Sequence, residues 1–169
     1  IDERQLAGSN QGAIEKIVYM LASGTGKVRG SKSGGLQALQ TWRTVILATG
    51  EEPITTETSQ TGVSTRVLEI YGPPFEDERQ AGLMHQSASE NCGWAGIDFV
   101  KRVIDLGDEA IRDRFGVMLD YVYSQNNGKN GSHAAGIAAV ATADALIDEW
   151  FFGSTKDEAE RRAKAMAAY

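Results

Sequence analysis

Apolar side chains recur at helical spacing in several stretches of this chain and form continuous runs in two others. In "GAIEKIVYML", Ile14, Val18 and Leu21 stand at i, i+4 and i+7 with Ile17 beside them. That spacing predicts a helix running into Gly24 as its C-terminal cap. "IDFVKRVIDL" aligns Ile97, Val100 and Ile104, and "DEAIRDRFGVMLDYVY" aligns Ile111, Phe115, Met118 and Val122 behind Asp108 as N-cap. After the polar loop "SQNNGKNGSH", "AAGIAAVATADALIDEWFF" predicts an alanine-rich buried helix. "TKDEAERRAKAMAAY" predicts a final exposed helix with Ser154 or Thr155 as its cap.

The continuous runs read differently. "TWRTVILATGE" carries an unbroken apolar stretch from Val45 to Ala48 and ends in small polar residues. Bounded by turn signals, such a run suits a strand covered on both faces, as in a parallel α/β sheet. "TRVLEI", 65–70, is a second β-type run, closed by Gly72-Pro73-Pro74. The glycine- and serine-rich "GTGKVRGSKSGGLQ" before them reads as a hairpin with Lys32 near its tip. The expected fold class is therefore α/β: half of a parallel sheet over 1–75, then a helical domain over 76–169. Two strands with no crossover helix between them cannot form a stable parallel sheet, so the remaining strands are expected before Ile1.

Composition narrows the function classes. With 169 residues, 41% of them hydrophobic, the chain is long enough to bury a core. No apolar stretch approaches the ~18 residues of a membrane span, and there is no basic-then-apolar leader. The lone Cys92 cannot form an internal disulfide, which fits a reducing, cytoplasmic setting. Opening at Ile1 rather than methionine points to a piece of something longer. His85 and His133 have no partner spacing for metal or triad chemistry.

The formal net charge of −6 does not advertise nucleic-acid binding, but its distribution does more. No acidic residue lies between Glu15 and Glu51, while Lys16, Lys27, Arg29, Lys32 and Arg43 all do. Within that stretch, Gly24-Thr25-Gly26-Lys27 imitates a phosphate-binding loop. The motif G-x-x-x-x-G-K-[ST] requires glycine where Leu21 stands and a hydroxyl where Val28 stands. A phosphate loop also opens a helix, whereas here a helix runs into the glycines. The tetrapeptide is a decoy.

Four blocks, "IDERQ", "IEKIVYMLASGTGKVRGSKSGGLQ", "TWRTVILATGEEPI" and "TGVSTRVLEI", resemble a phage- and plasmid-borne domain described as superfamily II helicases and inactivated derivatives. Their order is similar to the second half of an AAA+-like or superfamily 3 helicase core. The resemblance covers Ile1 to about Ile70 well and the remainder loosely. It implies a parallel-sheet P-loop ATPase core of AAA+/RecA-like type whose phosphate loop lies upstream. ATP and Mg²⁺ would be held by the full-length parent, with neither expected on this fragment.

The same resemblance assigns roles one residue at a time. Asp2 would be the Mg²⁺-associated carboxylate and Glu3 the general base. Thr49, at the end of the buried strand, would be the polar sensor of the γ-phosphate. Arg66 would be an arginine finger supplied to a neighbouring subunit. Lys27, Arg29 and Lys32 would grip the phosphates of single-stranded DNA in the channel of a self-associating, hexameric ring. Trp42 would either stack on a base or pack in the core. The implied function is an ATP-driven helicase or translocase with no membrane partner, inactive as this fragment. The alternative is an inactivated derivative serving as a DNA-binding or assembly platform.

Overall fold

Helix dominates this chain. The computed structural model describes residues 11–30, 34–57, 59–73, 75–125 and 131–168. Seven helices occur among them: α1 (Gln11–Ser23), α2 (Thr61–Ser64), α3 (Glu78–Glu90), α4 (Ala95–Leu106), α5 (Asp108–Gln125), α6 (Gly131–Phe151) and α7 (Lys156–Ala167). The chain divides into two compact units, Ile1–Glu69 and Ile70–Tyr169.

The expected parallel sheet is not there. Among the described residues, β-type pairing is confined to two antiparallel bridges, Thr25 with Thr41 and Gly30 with Leu36. The run that was to be covered on both faces is open instead: Val45 is 85% exposed, Leu47 82% and Ile46 41%. An extended apolar run becomes a strand only when a neighbour takes up its backbone N–H and C=O groups, and no strand pairs with this one among the described residues. The "TRVLEI" run fails for a different reason. Its first residues close α2, with the Thr65 and Arg66 N–H groups donating to Thr61 and Val63 carbonyls. Glu69 then turns back, its carboxylate accepting from the Ile54 and Thr55 N–H groups and from the Thr55 hydroxyl at 2.7 Å.

The second unit is built around α6. Ala134, Ala138, Ala141 and Ala145 recur at i, i+4, i+7 and i+11 and are all at most 2% exposed. Methyl side chains let neighbouring helices approach closely. Met118 and Val122 of α5 and Ala159 and Ala163 of α7 fill the resulting seam. The one buried hydroxyl among the described residues, on Thr142, donates back to the Ala138 carbonyl at 2.7 Å, so its burial leaves no orphan donor.

Ion pairs at the rim of this seam set the helix register. Arg114 of α5 forms two bonds to the Glu149 carboxylate of α6, at 2.6 and 3.3 Å, with both side chains mostly buried. Asp148 of α6 accepts from Arg162 of α7 at 3.0 and 3.2 Å and from the Ser154 hydroxyl at 2.9 Å. Gly153, at φ +75°, supplies the left-handed residue that ends α6. Thr155, one of the two predicted cap residues, then caps α7 in a reciprocal box with Glu158.

On α4 the sequence located the helix but not its inner face. Phe99 packs on Trp150 of α6 with ring centroids 5.5 Å apart, and the Arg102 guanidinium lies 5.3 Å from the centroid of Phe151. These contacts turn Phe99, Val103 and Leu106 inward, where they are half-buried. Ile97, Val100 and Ile104, aligned as expected, face outward at 60, 54 and 71% exposure. Two aromatic contacts outweighed the aliphatic stripe. Helix α3 has no buried residue.

Candidate nucleic-acid interface

Helix α1 runs into Gly24, whose φ of +67° and N–H bond to the Leu21 carbonyl (3.2 Å) end the helix in the left-handed conformation. The phosphate-loop geometry is thereby excluded on backbone grounds as well, since the lysine follows a helix C-terminus rather than preceding a helix. A side chain at Gly24 would also press on the Trp42 carbonyl, 3.0 Å from where its Cβ would stand.

From Gly24 the chain enters an antiparallel hairpin. The Trp42 N–H donates to Gly24 O at 2.9 Å, the Gly26 N–H to Gln40 O at 2.8 Å and the Gln37 N–H to Arg29 O at 2.9 Å. With the two bridges, these bonds describe a single register that pairs Gly24 with Trp42, Gly26 with Gln40, and Gly30 with Leu36. Side chains alternate between faces at a period of two. One face therefore carries Gly24, Gly26 and Gly30 opposite Trp42, Gln40 and Leu36. The other carries Thr25, Lys27 and Arg29 opposite Thr41, Leu39 and Gln37.

Trp42 fixes the glycine face. Its Nε1–H donates to the Leu21 carbonyl at 2.9 Å, and its half-buried ring lies over Gly26. The ring packs within this unit but is half-buried rather than part of a core. The cationic face points away from that anchor, and both Lys27 and Arg29 are exposed. Lys32, the third predicted contact, lies outside the described residues, as do Asp2 and Glu3.

Of the remaining predicted residues, Thr49 and Arg66 lie among the described residues. Thr49 is exposed in an irregular segment rather than at the carboxyl end of a buried strand. Arg66 sits just beyond α2; its guanidinium donates to the Gly62 carbonyl and lies 5.0 Å from the centroid of the Tyr19 ring. The guanidinium is thus held against α2 and α1. No group of three or more His, Cys, Asp or Glu side chains that could hold a metal ion occurs among the described residues.

Sequence reasoning missed the junction that organises this unit. The Tyr19 hydroxyl approaches Gly62 so closely that a side chain there would collide with it, and it donates to Gln60 Oε1 at 3.5 Å. Val63 of α2 is fully buried. A tyrosine on one helix and a glycine in a four-residue turn far along the chain share no spacing signal. Protein-family models, curated proteins and solved structures compared with this chain gave no match. No helix among the described residues is long and apolar enough to cross a membrane.

Proposed function

We propose that this chain is a platform that binds single-stranded DNA through the Lys27–Arg29 face of its hairpin, without hydrolysing ATP itself. The observation that carries this reading is the division of labour across the hairpin. Trp42 ties one face to the end of α1, leaving the cationic face exposed in a stretch with no acidic residue between Glu15 and Glu51. Contacts of this kind are made to phosphate oxygens, carry little sequence information and weaken with salt. The role matches an inactivated derivative of the helicase type that the sequence resembles, in a cytoplasmic setting. A hexameric ring and an ATP–Mg²⁺ site in a longer parent rest on that resemblance alone.

Fluorescence anisotropy of labelled oligo-dT against salt tests this. Three phosphate contacts, counting Lys32, give a slope of log K against log salt of about −2. Lys27→Ala with Arg29→Ala should remove most of that slope and weaken binding by about 10-fold or more at low salt. Affinity unchanged by the double substitution would refute the interface. ATP turnover by this chain that vanished on Lys27→Ala would refute the platform and place the lysine at a nucleotide.

A further inference from the structure

Burial alternates residue by residue where α1 gives way to the hairpin. Gly24, Gly26 and Trp42 are half-buried, while Thr25, Lys27, Thr41 and Arg43 are exposed. That alternation belongs to a ribbon with one face against the helix end, and it puts Arg43 on the same face as Lys27. The two cations flank the Thr25–Thr41 bridge, each two residues beyond it on its own strand. At about 3.3 Å per residue they stand about 13 Å apart along the ribbon. Between them lie the Thr25 and Thr41 hydroxyls. The bonds from Trp42 N–H to Gly24 O and from Gly26 N–H to Gln40 O make this a non-hydrogen-bonded pair, in which facing side chains come closest. Its Thr25 end is fixed on the last turn of α1: the Thr25 N–H donates to Ser23 Oγ at 3.3 Å, and the Ser23 hydroxyl donates to the Met20 carbonyl at 2.7 Å.

The Arg43 guanidinium is also unengaged. No carboxylate, carbonyl or ring among the described residues takes it up, whereas Arg66, Arg102, Arg112, Arg114 and Arg162 are each held by a partner. We infer that Arg43 is a further phosphate contact of this hairpin, and that single-stranded DNA lies along the ribbon from Lys27, across the two threonine hydroxyls, to Arg43. The inference rests on the DNA-binding reading of this face. A guanidinium holds two oxygens of one phosphate, and an ammonium acts as a point charge. Projecting from one face at this separation, Arg43 and Lys27 meet different phosphates, and the hydroxyls donate to the backbone between them. Such a path reads no bases.

Fluorescence anisotropy of labelled oligo-dT against salt tests the path. With Arg43 counted, the wild-type slope of log K against log salt steepens from about −2 to about −3, and Arg43→Ala should take back about 0.7 of it. The same variant should weaken binding by about 3-fold or more at low salt, and Arg43→Lys should keep the slope. Thr41→Val should weaken binding by a smaller factor with the slope unchanged, since a hydroxyl releases no counterion. Arg79→Ala removes an equal charge from α3, which has no buried residue, and should change neither quantity. An unmoved Trp42 indole N–H resonance reports an intact hairpin in each variant. An Arg43→Ala slope equal to wild type overturns the inference, as does a loss matched by Arg79→Ala, which would reduce the effect to net charge. Weakening by Lys27→Ala with Arg29→Ala but not by Arg43→Ala sinks this path alone. A chain that binds no oligo-dT sinks the DNA-binding reading beneath it.

Discussion

The two units handle apolar surface in opposite ways. In the second, small side chains repeat on α6 and are closed over by α5 and α7, so that eight residues reach at most 2% exposure. In the first, Val63 is the one fully buried apolar residue among those described, while Val28, Leu36, Val45 and Leu47 are all more than 60% exposed. The difference comes from where the partner of each apolar face is encoded. A helix in the second unit meets its partner one short connection later in the chain. An extended run such as Val45–Ala48 needs a strand from elsewhere, and none of the described residues supplies one.

Changes in the cores should separate the units most sharply. Met118→Ala removes the largest fully buried side chain from the α5–α6–α7 seam and is expected to cost about 2–5 kcal/mol. Hydrogen exchange should then accelerate throughout 108–167 and leave the Gly24–Trp42 hairpin bonds unchanged; acceleration in both regions alike would mean that the units do not unfold separately. Gly62→Ala is the mirror experiment. The new methyl displaces the Tyr19 hydroxyl and with it the ring that Arg66 covers. A loss of about 1–3 kcal/mol is expected, confined to the first unit. A thermal midpoint for the helical unit that moved with it would break the comparison.

The smallest effect lies at the start of α7. The Glu158 carboxyl is held below its ordinary range, chiefly by the Thr155 backbone N–H and then by the Thr155 hydroxyl, at 3.0 and 2.8 Å, with Arg161 and Arg162 adding to the shift. A depressed carboxyl stabilises the fold in full above its unfolded pKa and loses that contribution as pH falls through the lowered folded value. Stability of the second unit should therefore decline on acidification below the ordinary carboxylate range. Thr155→Ala should flatten that decline and lower the thermal midpoint by a few degrees. An equally steep acid limb in Thr155→Ala would show that the box is not its source.

Legibility followed the same divide. The spacing of Met118 and Val122 and the alanine-rich, buried character of α6 were readable, and the cap of α7 was narrowed to Ser154 or Thr155, because each depends on residues within a turn or two. So was the end of α1 at Gly24, which required only the left-handed tolerance of glycine. The sheet was misread because a continuous apolar run specifies extended backbone without specifying a neighbour. On α4 the period was right and the face wrong, since both faces are apolar and the choice between them was made by Trp150 and Phe151, far along the chain. For the candidate site, the clustering of Lys27 and Arg29 was visible as charge, and their shared face follows from the hairpin register. The contact of Arg66 with Tyr19 was not, because Tyr19 lies on another element.

The methyl-lined seam of α6 has a consequence for how this chain can diverge. Where helices meet through Ala134, Ala138, Ala141 and Ala145, no volume is left for growth, and even one added carbon must push a whole helix aside. A saturation library selected for folding should therefore admit only glycine or alanine at these positions, while neighbouring sites such as Val140 accept almost anything. Drift in such a protein is channelled to its outer faces, and its interior changes only by paired substitution.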